Sequence, residues 1–136
     1  MAFYPYLNFD GTCREAFTRY HEIFGGELVV LGPEVMPEGT PSPGGDLVIH
    51  AALKLEDGGL LMASDSMPGT YEKAQGTYVN VNAKTVEEAN RVYDALAAGG
   101  DATSPLQETF FSPAFGLCTD KWGTPWMVNV DQPEQG

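Results

Sequence analysis

A chain of 136 residues, 43% hydrophobic and 19% charged, has the length and balance of one globular domain that needs no disulfide or metal staple. Seven Lys and Arg face 19 Asp and Glu, a formal net charge of −12 that repels phosphate backbones and anionic bilayers and so argues against nucleic-acid or membrane partners. The start, Met1-Ala2-Phe3-Tyr4-Pro5-Tyr6, lacks the basic and long apolar regions of a signal peptide, and no apolar run approaches a membrane span. A cytoplasmic protein is expected. Its two cysteines, Cys13 in a predicted helix and Cys118 in a predicted strand, are expected to stay reduced, and they form no Cys-x-x-Cys pair.

In chain order, residues 4–9 predict a strand. Thr12-Cys13-Arg14-Glu15-Ala16 then carries a capping signature, in which Thr caps a helix start and Glu three residues on returns a bond. Cys13, Ala16, Phe17, Tyr20 and Phe24 form an apolar stripe at helical period, a packing face rather than a cofactor box. Gly25-Gly26 ends that helix. Strands follow at 27–31, 47–56 and 60–64, with Asp57-Gly58-Gly59 as a tight turn between the last two. Residues 32–45 hold Pro33, Pro37, Pro41 and Pro43 and are too long for a plain connection, so they read as a lid or a mobile excursion. Residues 65–75 read as a linker.

The pattern then repeats. Residues 77–81 predict a strand, and Thr85-Val86-Glu87-Glu88-Ala89 echoes the first capping signature at an offset of 73. Val86, Ala89, Val92 or Tyr93, and Leu96 form the second stripe, and Gly99-Gly100 closes it at an offset of 74 from the first glycine pair. Strands near 102–109, 114–119 and 124–130 complete the half, with Trp122-Gly123 in the final turn. Each half reads strand-helix-strand-strand-strand, giving an α+β chain of module 1–66 and module 75–131. A doubly wound sheet, in which every strand is followed by a helix, is excluded.

Alternation sorts the faces. In 47–56, Leu47, Ile49, Ala51, Leu53 and Leu55 are predicted to face the helix, and Val48, His50, Ala52, Lys54 and Glu56 to face away. Val79 and Val81 oppose Tyr78, Asn80 and Asn82. Leu7 and Phe9 oppose Tyr4, Tyr6 and Asn8. Trp126, Val128 and Val130 oppose Met127 and Asn129. A solvent-facing sheet should carry Lys, Glu and Thr on its second face. Here that face holds tyrosines, asparagines, methionines and one histidine, the composition of a small-molecule pocket or of a buried subunit interface.

Two such modules resemble the glyoxalase/bleomycin-resistance/dioxygenase (vicinal oxygen chelate) superfamily over essentially the whole chain. The resemblance sharpens to its PhnB-like branch at Met62-Ala63-Ser64-Asp65, at Glu108-Thr109-Phe110-Phe111 with Phe115-Gly116, and at Thr119-Asp120-Lys121-Trp122-Gly123-Thr124-Pro125-Trp126-Met127-Val128-Asn129. It implies paired βαβββ modules whose curved mixed sheets surround a shared cavity, the glyoxalase/bleomycin resistance/dihydroxybiphenyl dioxygenase-like fold, with a homodimer expected. Catalytic relatives hold a divalent metal with His and Glu from the first and last strands of each module. Those four places fall at or beside Tyr4, Met62, Tyr78 and Met127, which are not usual ligands, and neighbours Pro5, Leu61, Ala63, Thr77, Trp126 and Val128 are no better. Some relatives are labelled demethylubiquinone methyltransferases, but the glycine pairs here end helices and do not form a donor-binding strand-to-helix turn.

The expected role is therefore small-molecule binding in the cavity, with Tyr4, Tyr6, Asn8, Met62, Ser64, Tyr78, Asn80, Met127 and Asn129 as ligand-binding residues, no metal site and no assigned cofactor. A second reading is a lyase, isomerase or dioxygenase whose divalent metal sits at a displaced site. His50, a residue type suited to proton transfer, and Glu108, activated by burial, would be its catalytic pair. Against it, His50 can be a hydrogen-bonded wall residue and Glu108 a loop cap or a partner of a lysine. His21 reads as a surface residue, and Cys118 has no nearby histidine to activate it. A third reading is a structural homodimer that packs these faces shut.

Overall fold

The computed structural model describes residues 1–39 and 46–131, so part of the proline-rich stretch, including Pro41 and Pro43, lies outside the described residues. The elements are β1 (Tyr6–Phe9), α1 (Cys13–Phe24), β2 (Glu27–Leu31), β3 (His50–Lys54), β4 (Leu60–Asp65), β5 (Val79–Ala83), α2 (Val86–Ala97), β6 (Asp101–Gln107), β7 (Phe115–Thr119) and β8 (Pro125–Val130). A 3-10 turn at Pro33–Val35 opens the proline-rich stretch. The chain divides into two units, Met1–Glu72 and Lys73–Gly136. Each is a four-stranded mixed sheet with one helix, as the α+β reading requires.

In the first unit the strand order is β1-β4-β3-β2, with β1 parallel to β4 and the other neighbours antiparallel. The second unit repeats it as β5-β8-β7-β6, with β5 parallel to β8. Matching backbone bonds close both sheets. Ser66 N–H donates to Phe9 O at 2.8 Å, and Asp131 N–H to Ala83 O at 3.1 Å. The glycine pairs also match. A Cβ on Gly26 would collide with the Lys54 carbonyl, and one on Gly100 with the Thr119 carbonyl, so each helix exit passes tight against the sheet.

The helices cover one face of each sheet. Cys13, Ala16, Phe17, Tyr20 and Ile23 of α1 are buried, as are Phe9, Ala51, Leu53, Leu61 and Ala63 of its sheet. Ile23, not the expected Phe24, completes the stripe; both lie within one turn of Tyr20, and Phe24 is half-buried. In α2, Ala89, Val92, Tyr93 and Leu96 are buried, whereas Val86 at the first helical position is 44% exposed. The second core adds Trp126, Val128 and Val130.

Two local expectations are corrected. Leu47 and Ile49 do not share the covered face with Ala51; Val48 does, fully buried. Ala51 pairs with Ala63, but Asp65 N–H bonds to Val48 O, so three steps on one strand match two on the other. That extra residue is a β-bulge, and it inverts the alternation beyond it. The second unit has none here: Gly116 pairs with Val128, and Val130 N–H donates to Ala114 O.

The other correction concerns capping. Thr85 accepts a bond from Glu88 N–H at 3.0 Å, as expected, but Thr12 makes no side-chain cap bond. Its role passes to Asp65 at the end of β4. Asp65 Oδ1 accepts from Cys13 N–H at 2.9 Å and Oδ2 from Val48 N–H at 2.8 Å. One carboxylate thus ties the helix start to the bulged strand.

Replacing Asp65 by Ala strands two buried N–H groups and should cost about 2–4 kcal/mol. Thr85→Ala should cost about 1 kcal/mol, and Thr12→Ala under about 0.5 kcal/mol. Urea unfolding of the three variants measures this order, and a Thr12→Ala loss equal to that of Thr85→Ala would contradict it.

Candidate functional site

The face of each sheet turned away from its helix carries the residues singled out above. In the first unit, register sets Tyr6 beside Met62, Met62 beside Ala52 and Ala52 beside Val29. The adjoining row runs from Asn8 to Ser64 and, across the bulge, to His50 and Leu31. Lys54 and Glu27 lie at the far end. Tyr6 is 46% exposed, and His50, Met62 and Ser64 are half-buried. Tyr6 Oη and His50 Nδ1 lie 3.3 Å apart in a hydrogen bond whose direction follows the imidazole tautomer, with ring centroids at 5.8 Å.

In the second unit the rows are Asn80–Met127–Leu117–Ser104 and Asn82–Asn129–Phe115–Gln107. Asn80 Nδ2 donates to Asn82 Oδ1 at 3.0 Å, and Asn129 Nδ2 reaches the same oxygen at 3.4 Å. Asn129 Oδ1 is enclosed without a partner. Phe111 packs edge-on against Phe115 at 5.0 Å and against Phe110 at 5.1 Å, and Phe110 is almost fully exposed. Asn82, Leu117 and Phe115 join the face without having been counted among the site residues. Two-residue spacing from Asn80 signals Asn82, but Phe115 needs the strand order.

Tyr4 and Tyr78 are exposed and precede β1 and β5. The strand register therefore sets Tyr6 and Asn80 beside Met62 and Met127, not Tyr4 and Tyr78. A phenol, an amide and two thioethers make a poor donor set for zinc, iron, nickel or manganese. Among the described residues no group of three or more His, Cys, Asp or Glu comes together to hold a metal. Glu108 follows β6 and is exposed, so the burial meant to activate it is absent. It belongs to the second unit and His50 to the first.

The motifs that carry the family resemblance do structural duty. Asp120, 3% exposed, accepts from Trp122 N–H and Thr124 N–H at 2.9 Å each and from Trp126 Nε1–H at 2.8 Å. Thr109 Oγ1 accepts from Ser112 N–H at 3.1 Å and Phe111 N–H at 3.3 Å, shaping the turn into β7.

Two strand-helix-three-strand units with this sheet order define a protein of the glyoxalase/bleomycin resistance/dioxygenase fold. It is similar in fold to the glyoxylase/bleomycin resistance protein/dioxygenase domain from Frankia sp. EAN1pec, at 17% identity and TM-score 0.67 over 99% of this chain and 94% of that one. The family model described as 3-demethylubiquinone-9 3-methyltransferase matches residues 1–129, and the chain belongs to that PhnB-like family. Over 145 aligned residues it is 35% identical to Protein YjdN of Escherichia coli (strain K12), covering 96% of this chain and 97% of that protein. Protein PA1353 from Pseudomonas aeruginosa is similar at 41% identity and TM-score 0.89, over 98% of this chain and 99% of that one. A PhnB protein from Bacillus cereus is similar at 27% identity and TM-score 0.76, over 96% and 100%.

The thiols are poor nucleophiles. Burial, with the Asp65 carboxylate beside it, pushes Cys13 up from the ordinary thiol value of 9.0 to about 12. Burial and Asp120 push Cys118 to about 11. Both pKa values rise on folding, so the stability these groups contribute is complete below pH 9 and is lost as pH climbs through 11 and 12. Native protein at pH 8 should resist iodoacetamide while urea-unfolded protein labels at both positions, as mass spectrometry would show. A melting temperature that falls above pH 9, with a shallower fall in the Cys13→Ala variant, completes the expectation.

Proposed function

We propose that this PhnB-like protein binds a small molecule against the sheet faces turned from its helices, without the His and Glu metal set of catalytic relatives. The observation that carries this reading is the content of those faces. Tyr6, Asn8, His50, Met62 and Ser64 in one unit, and Asn80, Asn82, Leu117, Phe115, Met127 and Asn129 in the other, are aromatic, apolar or uncharged polar groups. Such surfaces exchange water for a ligand at little desolvation cost and fix its orientation with a few hydrogen bonds. The acidic chain would draw cations and neutral molecules in preference to anions.

Methyl transfer, named in the family description, finds no support in the architecture. Both sheets are mixed and four-stranded, and the glycine pairs follow α1 and α2 instead of opening them. Function has to be argued from the site and not from the fold.

A fragment library screened by thermal shift tests the reading, since a ligand at 100 times its Kd stabilises the native state by about 2.7 kcal/mol. Binders should raise the melting temperature, and Met62→Lys or Met127→Lys should abolish the rise without unfolding the chain. Elemental analysis should find no stoichiometric metal; zinc, nickel, iron or manganese lost in His50→Ala or Glu108→Gln would favour the displaced metal site. The homodimer expected of the family should sediment at about twice the 14.7 kDa chain mass. A dimer that binds no fragment would favour the closed interface.

A further inference from the structure

We propose that the three asparagines on the outer face of the second sheet select neutral carbonyl compounds, with Asn82 as the fixed donor. The proposal rests on reading that face as a small-molecule site. Asn80 and Asn82 stand two residues apart on β5, and Asn129 of β8 is paired with Asn82. Asn82 Oδ1 accepts from Asn80 Nδ2 at 3.0 Å and from Asn129 Nδ2 at 3.4 Å. An amide oxygen has two lone pairs, so both are taken. Among the described residues nothing accepts from Asn82 Nδ2, and the residue is exposed. Asn82 thus offers a ligand hydrogen-bond donors only.

The direction of the network follows from what it leaves unpaired. Turning all three amides over would keep both bonds with donors and acceptors exchanged, and Asn82 would then offer an oxygen. It would also put an NH2 group where the enclosed Asn129 Oδ1 now lies without a partner. Buried N–H groups without a partner are rarer in proteins than under-satisfied carbonyl oxygens. The observed direction is therefore the less costly one, and Asn129 is a positioning residue that holds Asn82 in it. In the first unit the matching Asn8 makes no such bond among the described residues, so the device belongs to one half.

The surroundings set the rest of the ligand. Met127 and Leu117 follow Asn80 in one row, and Phe115 follows Asn129 in the other, with Phe111 edge-on to it at 5.0 Å. These side chains give a flat apolar body a surface to lie against. Neither row, from Asn80 to Ser104 or from Asn82 to Gln107, carries a charged residue, so no cation is in place for a carboxylate. The net charge of −12 further disfavours anions. A neutral molecule with a carbonyl oxygen on an aryl body is the class that remains.

The probes are 1-indanone and indole, both flat, neutral and bicyclic. The first only accepts a hydrogen bond through its carbonyl, and the second only donates one through its N–H. Titrations followed by NMR shifts of the Asn82, Met127 and Asn129 amides give both affinities. 1-Indanone should bind about tenfold more tightly, the worth of one hydrogen bond, and should move the Asn82 side-chain NH2 resonances. Asn82→Asp keeps an oxygen for both incoming bonds and removes the outward donors, so it should erase the preference. Asn80→Ala frees one lone pair of that oxygen and should narrow it. Asn90→Ala, altered at an exposed position of α2, should leave it intact. Circular dichroism and melting curves establish that the variants fold. Indole binding as tightly as 1-indanone, or an unchanged preference in folded Asn82→Asp, would overturn the assignment. If fragments bind this face while neither probe does, only the carbonyl selectivity fails and the small-molecule reading stands. If no fragment and neither probe binds, both fall.

Discussion

The first unit depends on one carboxylate holding three elements in register. Asp65 ends β4, caps the first turn of α1 through Cys13 and anchors the bulged approach to β3 through Val48. Each N–H it satisfies belongs to a fully buried residue, so water cannot replace it. Once α1 is fixed there, its stripe must cover the inner face, and the side chains between are forced outward. The outer face is therefore defined by a tie made on the inner one. The same carboxylate sits against the Cys13 thiol and, with burial, helps to keep it protonated, so this tie also silences its nearest nucleophile.

Asp120 has the corresponding character in the second unit, though in a turn and not at a strand end. Its three accepted bonds hold the turn between β7 and β8 and pin the Trp126 ring in the core. Within the segments by which the chain resembles its family, Asp65 of Met62-Ala63-Ser64-Asp65 and Asp120 of Thr119-Asp120-Lys121-Trp122-Gly123-Thr124 are thus structural ties. Their presence marks the scaffold. A tie that defines the fold does not specify a reaction.

Much of the scaffold was legible because it rests on local rules. The helices begin after Thr12 and Thr85 and end before Gly25 and Gly99, as capping and glycine signals indicate, and β2 occupies the residues its apolar run predicts. Reading failed where a distant group replaced a local one. Thr12 has the sequence of a cap, yet Asp65, 53 residues on, supplies the bond. Alternation failed in residues 47–49 because a bulge leaves no mark in composition. Within β6, register shifts lie on either side of Ser104, next to Pro105, which has no N–H to give, and Tyr93 instead donates to the Ser104 and Leu117 carbonyls. Within the site, the outward residues of β1, β5 and β8 followed from period two. The Tyr6–His50 bond did not, since it requires knowing that β4 separates β1 from β3.

Comparison of the two halves separates packing from purpose. Residues matched on the covered faces stay apolar: Ala51 with Gly116, Ala63 with Val128, Leu61 with Trp126. A polar side chain there would be buried without a partner. On the outer faces the methionines Met62 and Met127 match and so do Asn8 and Asn82, but Tyr6 stands opposite Asn80, Ser64 opposite Asn129 and His50 opposite Phe115. Those exchanges change hydrogen-bonding chemistry and leave the core untouched. A sheet whose outer face served only solvation would gain nothing from exchanging a histidine for a phenylalanine, since exposed phenylalanine is unfavourable in water. The asymmetry leaves one half with a tyrosine–histidine hydrogen bond on its outer face and the other with amides and aromatic surface.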